Sequence, residues 1–203
     1  MKIKYYENDL PENTLLGDII AIDTETMGLN PSRDKLCLIQ MSSGNGICHL
    51  IKILDLRKKP KNILKLLKNN KITKIFHYAR FDVAIIKHAF KIDIKNIYCT
   101  KIASKLVRTY TDKHGLKELC KEMLNVDLNK SSQSSDWSIR ELSKEQLKYA
   151  SHDVIYLFRL KEKLEEMIAR EDRQELLQKS FDFLPIRVKL DLAGWHDTDI
   201  FSH

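Results

Sequence analysis

The sequence of 203 residues has no apolar run close to the roughly 20 residues that a membrane-spanning helix needs. Its first residues, MKIKYYENDLPEN, also lack the apolar segment of a secretory signal. We therefore expect no membrane span and no export, and we predict a cytoplasmic protein. Because the sequence also has no internal repeat and no low-complexity linker, we expect one main domain at this length.

Cysteine is scarce and widely spaced, at Cys37, Cys48, Cys99 and Cys120. No C-x-x-C pair occurs, which argues against a zinc knuckle, and the wide spacing argues against a disulfide framework. We interpret the four cysteines as buried thiols of a protein in a reducing compartment.

The residues that are present are typical of a globular protein, with 43% hydrophobic and 31% charged. Lysine and arginine together number 35 against 28 acidic residues, which gives a formal net charge of +7. This excess suits a polyanionic partner such as nucleic acid, but many lysine-rich surfaces are merely solvated. Charge alone therefore favours nucleic acid without identifying it.

The apolar pattern predicts an α/β fold. A β-branched strand at 19–22 is followed by β-prone runs at 35–43 and 46–53, with Gly44 and Gly46 between the two runs, which indicates a hairpin and three antiparallel strands. The next predicted elements are a helix at 62–68, a strand at 73–78, a helix at 80–90, a strand at 96–100 and a helix at 114–124. This alternation favours parallel strands joined by crossover helices.

The C-terminal third is predicted to be helical after a polar loop at 129–138. Ser143 and Gln146 have the spacing of a capping box, and a long amphipathic helix is expected from 147 to 170. A further helix, with a break at Pro185, is expected after it.

We divide the chain into a main domain at 1–171 and a C-terminal extension at 172–203. The extension carries more apolar residues than a disordered end, Trp195 and Phe201 among them. It is therefore expected to pack on its own core or to form a subunit contact.

The segment AIDTETMGL at 21–29 places Asp23 and Glu25 two positions apart, directly after the first apolar run. Side chains alternate along a strand, so these two project to the same side. At roughly 4 Å and an effective dielectric near 20, two carboxylates repel by about 4 kcal/mol. The pair therefore calls for a cation, unless it is simply solvated at a strand end.

Two later elements supply further acidic residues. Asp82 follows a predicted strand at the start of a helix, where the helix dipole favours an anion. Tyr149 and Asp153 are four residues apart, so they share one face of the long helix. Purely structural roles stay open for both residues. Asp82 would then be an acidic residue stabilised in the first turn of a helix, and Tyr149 a packed aromatic side chain.

The motifs DTET, HYARFD and YASHD together resemble the DEDD family of exonucleases. The acidic residues that carry the resemblance are Asp23, Glu25, Asp82 and Asp153. A tyrosine four residues before the last aspartate marks the DEDDy branch, whereas the DEDDh branch would need a histidine where this chain has Lys148. The resemblance covers roughly residues 10–170. It implies an RNase H-like fold, a mixed sheet of three antiparallel strands and then parallel strands, flanked by helices.

A second set of motifs is similar to the ribonuclease D signature: SDW at 135–137, Gln146, and YA-x-x-DV at 149–154. One departure is Glu141, where ribonuclease D relatives commonly carry proline. The chain also continues only briefly past the nuclease core, so it looks most like the short bacterial oligoribonucleases of this family.

The resemblance implies a metal-dependent 3′–5′ exoribonuclease that hydrolyses short oligoribonucleotides, notably dinucleotides, to nucleoside 5′-monophosphates. It also implies a ring-shaped homo-octamer. Two divalent cations, Mg²⁺ or Mn²⁺, are the implied cofactors, because such hard ions take oxygen ligands. On the family pattern Asp23 bridges both ions, and Glu25 and Asp153 complete the first site. Asp82 reaches the second ion through water, and Tyr149 orients the attacking water.

The resemblance further implies substrate contacts at Thr26, Met27, Gly28, Leu29, His77 and Gln146. Leu29 would wedge against a base, and His77 would hold a phosphate. Simpler roles stay open: Leu29 as a core residue, His77 as a histidine satisfied at a strand end, and Gln146 as a support of the catalytic helix. Basic residues expected to border the site, either guiding phosphates or simply solvated, are Arg80, Lys101, Lys105, Arg108 and Lys113.

Two alternative functions remain open. One is a DNA exonuclease or a processor of structured RNA that uses the same site, but a small binding surface grips few phosphates, which favours short substrates. The other is a catalytically inactive nucleic-acid-binding scaffold. The intact acidic set and Tyr149 argue against the scaffold.

Overall fold

The computed structural model describes residues 1–128 and 135–203. Within these ranges six strands form one mixed sheet in the order β1-β4-β3-β2-β5-β6. The strands are β1 Lys2–Glu7, β2 Ile19–Thr26, β3 Leu36–Ser42, β4 Ile47–Lys52, β5 Thr73–Phe76 and β6 Ile97–Cys99. The helices are α1 Lys61–Lys68, α2 Ala79–Phe90, α3 Thr100–Val107, α4 Leu116–Leu124, α5 Lys144–Ile155, α6 Leu157–Arg170 and α7 Gln174–Leu190, followed by a π-helical turn at Asp191–Trp195.

The predicted fold class and strand directions are confirmed. Strands β2, β3 and β4 pair antiparallel, β5 pairs parallel with β2, and β6 pairs parallel with β5. Helix α2 connects β5 to β6, as a crossover between parallel strands requires. Of the polar loop predicted at 129–138, residues 129–134 lie outside the described residues.

The sequence patterns do not predict β1. This strand pairs in parallel with β4 at one edge of the sheet, from Lys2 opposite Ile47 to Glu7 opposite Lys52. Its sequence KIKYYE has only a short apolar alternation, because an edge strand has one neighbour and buries little. The edge is therefore extended by a strand that only the three-dimensional pairing reveals.

The prediction of one continuous helix from 147 to 170 is wrong, because the helix is interrupted at Tyr156, between α5 and α6. Helix α5 packs on β2, β3 and β4, whereas α6 packs on α3 and α4. Both halves keep helical spacing of apolar residues, so the sequence gives no sign that they face different partners. The capping box of Ser143 and Gln146 is present at the start of α5.

The predicted break at Pro185 is also wrong, since α7 runs through this proline to Leu190. A proline inside a helix costs about 3 kcal/mol or more. Burying an aliphatic or aromatic side chain returns roughly 1.5–3 kcal/mol, and Phe181, Leu184 and Val188 around the proline are all buried. Packing of this apolar stripe therefore outweighs the lost backbone hydrogen bond.

Helix α7 packs on α2, α3 and α6. Beyond it, Trp195, Ile200 and Phe201 are exposed. The four cysteines are buried and free, as expected. No helix within residues 1–128 or 135–203 has the length and apolarity to cross a membrane.

Candidate active site

Three of the predicted carboxylates meet on one face of the sheet. Asp23 and Glu25 on β2 and Asp153 on α5 each offer an oxygen atom, and these atoms lie within 4.8 Å of one another. The two strand residues point together because side chains alternate along β2. Helix α5 crosses this strand and brings Asp153 to the pair. Such a set of closely spaced oxygen donors suits a divalent cation.

The fourth carboxylate, Asp82, lies in the first turn of α2 and is only 3% exposed. Its Oδ1 atom accepts a hydrogen bond of 2.7 Å from the hydroxyl of Thr24. Asp82 stands apart from the group of three, yet its charge raises the pKa of both Asp23 and Glu25. It therefore belongs to the same electrostatic cluster.

Burial and mutual repulsion favour the protonated forms of these acids. Burial, with repulsion from the neighbouring carboxylates, raises the pKa of Asp23 well above its usual range. Burial and then repulsion from Asp153 and Asp82 raise the pKa of Glu25 to about 9. The pKa of Asp82 rises to about 7 through burial, against the lowering effect of the Thr24 hydroxyl. A bound cation would replace these protons.

Tyr149 lies one turn before Asp153 on α5, and its hydroxyl shares a hydrogen bond with the Asp153 carboxylate. Burial, followed by the charges of Asp153, Glu25 and Asp23, raises the pKa of Tyr149 far above its ordinary value near 10. The hydroxyl therefore stays protonated and acts as a donor. The ring of Trp137 packs on Tyr149 with 6.0 Å between ring centroids.

Two polar partners of the acids are missing from the sequence-based prediction. Gln40 lies opposite Asp23 in the β2–β3 pairing, and its Nε2 donates to Asp23 Oδ2 over 3.2 Å. Thr24 holds Asp82 as described above. Finding Gln40 from the sequence would require knowing which residue of β3 pairs with each residue of β2.

The carboxylates line a cleft of about 660 Å³. Five of the six predicted substrate-binding residues line it: Thr26, Met27, Gly28, Leu29 and His77. Leu29 is 88% exposed, so it is not a core residue. The Nδ1 atom of His77 lies 2.9 Å from the hydroxyl of Thr100, which fixes the ring at the end of β5.

Gln146 is not among the residues that line this cleft. Its Oε1 accepts from the backbone N–H of Ser143 over 2.9 Å, and its Nε2 donates to the carbonyl of Asp136 over 3.0 Å. Both ends of the buried amide are therefore bonded within the protein. Gln146 thus completes the capping box of α5 and joins this helix to the segment that contains Asp136.

The loop that carries Leu29 is closely packed around Gly28. A Cβ atom on Gly28 would lie 2.3 Å from Asp34 Oδ2. That carboxylate in turn accepts a hydrogen bond of 2.9 Å from the backbone N–H of Asn30, and the Thr26 hydroxyl donates to the Gly28 carbonyl. A side chain at position 28 would therefore force the Asp34 carboxylate to shift from its place across the loop.

Tyr78 is a further cleft residue that sequence reasoning missed. It has φ of +68° directly before α2, a left-handed conformation that is strained for a bulky residue. Such strain costs on the order of 1–3 kcal/mol and concentrates at functional sites. The ammonium of Lys101 lies 4.2 Å from the centre of the Tyr78 ring, so this pair forms a basic, aromatic part of the cleft wall.

Two of the basic residues expected at the border are bound elsewhere. Arg80 forms an ion pair of 2.7 Å with Asp191, and its guanidinium also donates to the His196 carbonyl over 2.6 Å. Arg108 is buried and pairs with Glu122. These arginines hold structural elements together and do not present a free guanidinium to the cleft.

Comparisons with known proteins agree with this geometry. The family model described as 3′–5′ exonuclease matches residues 6–169. The structure of Brucella melitensis NrnC bound to pGG is 52% identical, with a TM-score of 0.96, and covers 100% of this chain and 99% of that chain. The structure of the same protein with bound Mg²⁺ is 51% identical, with a TM-score of 0.95 and full coverage of both chains.

Ribonuclease D of Bartonella henselae is 35% identical to this chain over 141 residues, which are 69% of this chain. The chain spans 34% of the length of that ribonuclease D. The resemblance inferred from the acidic motifs is thus confirmed by a family match, by whole-chain structural similarity and by sequence identity. The chain belongs to the DEDD 3′–5′ exonuclease family of enzymes, on the branch of ribonuclease D and NrnC.

Proposed function

We propose that this protein is a metal-dependent 3′–5′ exoribonuclease that hydrolyses short oligoribonucleotides, notably dinucleotides, to nucleoside 5′-monophosphates. The main support is the group of three carboxylates within 4.8 Å at the base of a cleft of about 660 Å³. Such a volume lies in the range of small-molecule sites, roughly 300–1,000 Å³, which suits a short substrate. The binding of pGG by the similar NrnC also supports a short RNA substrate.

Two divalent cations, Mg²⁺ or Mn²⁺, are the proposed cofactors. When bound, two such ions stabilise the charge on the entering and departing oxygens of a phosphodiester. Asp23, Glu25 and Asp153 would supply oxygen ligands, with Asp23 shared between the ions, and Asp82 would hold the second ion through water. The raised pKa values of Glu25 and Asp82 support this proposal, because repelling buried carboxylates favour a cation between them.

Tyr149 is proposed to orient the attacking water. Its hydroxyl is protonated and donates to Asp153, so the phenolic oxygen keeps lone pairs that can accept from a water molecule. The raised pKa of Tyr149 argues against a role as the general base. A positioning role contributes through orientation of the nucleophile.

The substrate is proposed to lie along the loop from Thr26 to Leu29. The exposed side chain of Leu29 would pack against a base, and His77 would face a phosphate on the opposite wall. For Gln146 we propose support of the catalytic helix, because both ends of its amide are bonded internally.

The ring-shaped homo-octamer implied by the family resemblance remains a proposal. Exposed apolar side chains on α7 and beyond it, Phe183, Ile186, Trp195, Ile200 and Phe201, support a subunit contact there. The division into a domain at 1–171 and an extension at 172–203, and the cytoplasmic location, also remain predictions.

One experiment tests the proposal directly. Labelled RNA and DNA of two to about twenty nucleotides are incubated with Mg²⁺ or Mn²⁺, and the products are resolved over time. We expect dinucleotides of RNA to be converted to mononucleotides, and we expect this activity to disappear with chelator or with Asp23→Asn. Persistent dinucleotides beside vanishing longer chains would contradict the short-RNA proposal alone. Faster cleavage of DNA would favour the DNA exonuclease, and no cleavage at any length would favour the scaffold.

A further inference from the structure

The sheet face that carries the catalytic carboxylates continues to a buried lysine. In the strand pairing, Glu25 lies opposite Leu38, and Leu38 lies opposite Lys52. Directly opposed residues project to the same face of a sheet, so Lys52 shares the face of Glu25, two strands away. Lys52 is 1% exposed. Its ammonium donates to the backbone carbonyl of Trp137.

This ammonium has an unusual environment. In the part of the chain that the structure describes, its polar contact is the single carbonyl of Trp137. Burial of a charge is costly and lowers the pKa of Lys52, and the nearby Asp136 carboxylate opposes this only in part. An apolar side chain of similar length would fill the space without this cost. The ammonium is therefore best explained by its hydrogen bond to the Trp137 carbonyl.

The residue that it holds reaches the active site. Trp137 is 2% exposed, and its ring packs on the ring of Tyr149. The indole Nε1 has no hydrogen-bond acceptor among the described residues. Because the indole makes no hydrogen bond of its own, its position depends on packing and on how its backbone is held.

The segment around Trp137 is held at its carbonyl groups from three elements. Gln146 on α5 donates to the Asp136 carbonyl over 3.0 Å, and Lys52 on β4 donates to the Trp137 carbonyl. Tyr5 on β1 donates to the Arg140 carbonyl over 3.3 Å. Of these three donors, Lys52 is the one that bonds Trp137 itself.

We propose that Lys52 is a positioning residue for the active site: by holding the Trp137 carbonyl it fixes the indole against Tyr149 and keeps the Tyr149 hydroxyl on Asp153. Lys52 does not line the cleft among the described residues, so it acts through Trp137. This role rests on the proposed function of Tyr149 in orienting the attacking water.

The test is Lys52→Met, which leaves an unbranched side chain one atom shorter and removes the charge and the hydrogen-bond donor. We expect kcat on a short RNA to fall about ten-fold or more, because small displacements near the reacting atoms are costly in rate. The KM should change less than about three-fold. The melting temperature should stay the same or rise, since a buried charge has been removed.

The matched control is Tyr5→Phe, which removes the partly exposed bond at the other end of the same segment. Its kcat should stay within about two-fold of the wild type. In a Trp195→Phe background, fluorescence reports on Trp137 alone, because the sequence has two tryptophans. The emission should shift with Lys52→Met and remain unchanged with Tyr5→Phe.

Tyr149→Phe separates this inference from the proposed function. Wild-type kcat in Tyr149→Phe would contradict the role of Tyr149. A fall in kcat in Tyr149→Phe, together with wild-type kcat in Lys52→Met, would overturn the role of Lys52 alone. Unchanged Trp137 emission in Lys52→Met would overturn it too. If Lys52→Met does not fold, Trp137→Phe decides: a fall in kcat supports the indole contact, and wild-type kcat overturns it.

Discussion

Thr24 and Asp82 are joined by a buried hydrogen bond, in which the threonine hydroxyl donates to the carboxylate over 2.7 Å. This bond links the middle of β2 to the first turn of α2. Burial raises the pKa of Asp82 to about 7, and the Thr24 hydroxyl opposes that rise. Thr24 therefore keeps Asp82 closer to the ionised form that a metal site requires.

Thr24→Val should weaken metal binding, because it removes the hydroxyl and keeps the β-branched shape. Hydrogen bonds to charged groups contribute roughly 1.5–3 kcal/mol, and 1.4 kcal/mol corresponds to about ten-fold in an equilibrium constant. We expect the half-saturating Mg²⁺ concentration for activity at pH 7 to rise about ten-fold. The increase should be smaller at pH 8.5, where Asp82 is more fully ionised.

Thr73→Val on the adjacent strand β5 serves as the control for this change. It introduces the same substitution at a distance from the acidic residues, and its Mg²⁺ dependence should match the wild type. If both variants show the wild-type Mg²⁺ curve, the hydrogen bond from Thr24 does not tune the metal site.

The metal-free protein should lose stability as the pH rises. The pKa of Glu25 is raised from its ordinary value near 4.5 to about 9, and that of Asp82 from near 3.8 to about 7. Between the ordinary and the raised values the folded state holds more protons than the unfolded state. The free energy of unfolding therefore falls as pH rises through this window. A divalent cation, which binds the ionised carboxylates, should restore it.

The measurement is the melting temperature in chelator and in Mg²⁺ from pH 5 to pH 9. We expect a falling curve in chelator and a stabilisation by Mg²⁺ that grows with pH. Glu25→Gln should flatten the fall in chelator, because the amide does not titrate. A melting temperature that rises with pH in chelator would contradict the raised pKa values.

Asp82→Asn should separate activity from stability. An asparagine Oδ1 can still accept the hydrogen bond from Thr24, while the buried negative charge is removed. We expect the melting temperature in chelator at pH 8 to rise by a few degrees, since about 1 kcal/mol shifts it by roughly 2–4 °C at this size. Activity should fall at least a hundred-fold if Asp82 serves the proposed second ion.

The control for Asp82→Asn is Asp93→Asn. The side chain of Asp93 is 56% exposed and forms an ion pair with Lys87 outside the cleft. A surface change of this kind usually alters stability by less than about 0.5 kcal/mol. A lower melting temperature of Asp82→Asn in chelator would show that charge crowding is not the dominant effect.

The sequence predicts the parts of the molecule that depend on local periodicity. The hairpin of β3 and β4, the alternation after it and the shared face of Asp23 and Glu25 all follow from spacing. The predictions fail at Tyr156 and Pro185, because the end of α5 and the continuity of α7 depend on which elements these helices pack against. Periodicity within a helix does not contain that information.

The residues that sequence reasoning missed have a related cause. Gln40 meets Asp23 only through the exact register of β2 with β3. Tyr78 is distinguished by a left-handed backbone that its residue type does not predict. Lys52 resembles any charged residue at a strand end until its burial is known. Cross-strand pairing and backbone geometry thus decide the supporting residues, whereas residue type and spacing decide the carboxylates.

Leu29 and Leu15 provide a matched pair for testing the substrate loop, because their exposures are 88% and 91%. Leu29 lines the cleft and Leu15 does not. Leu29→Ala should raise the KM for a short RNA about ten-fold, since it loses burial of a leucine side chain against a base, and full burial of such a side chain is worth roughly 1.5–3 kcal/mol. Its melting temperature should not change, because the side chain is already in water.

Leu15→Ala should leave both KM and the melting temperature at their wild-type values, which controls for the removal of an exposed leucine. Initial rates over a range of dinucleotide concentrations measure the difference between the two variants. Because the loop around Gly28 is held by Asp34 and Thr26, the loss in Leu29→Ala should come from the missing side chain and not from a loosened backbone. Equal KM values for the two variants would remove Leu29 from the binding surface and leave the carboxylate chemistry intact.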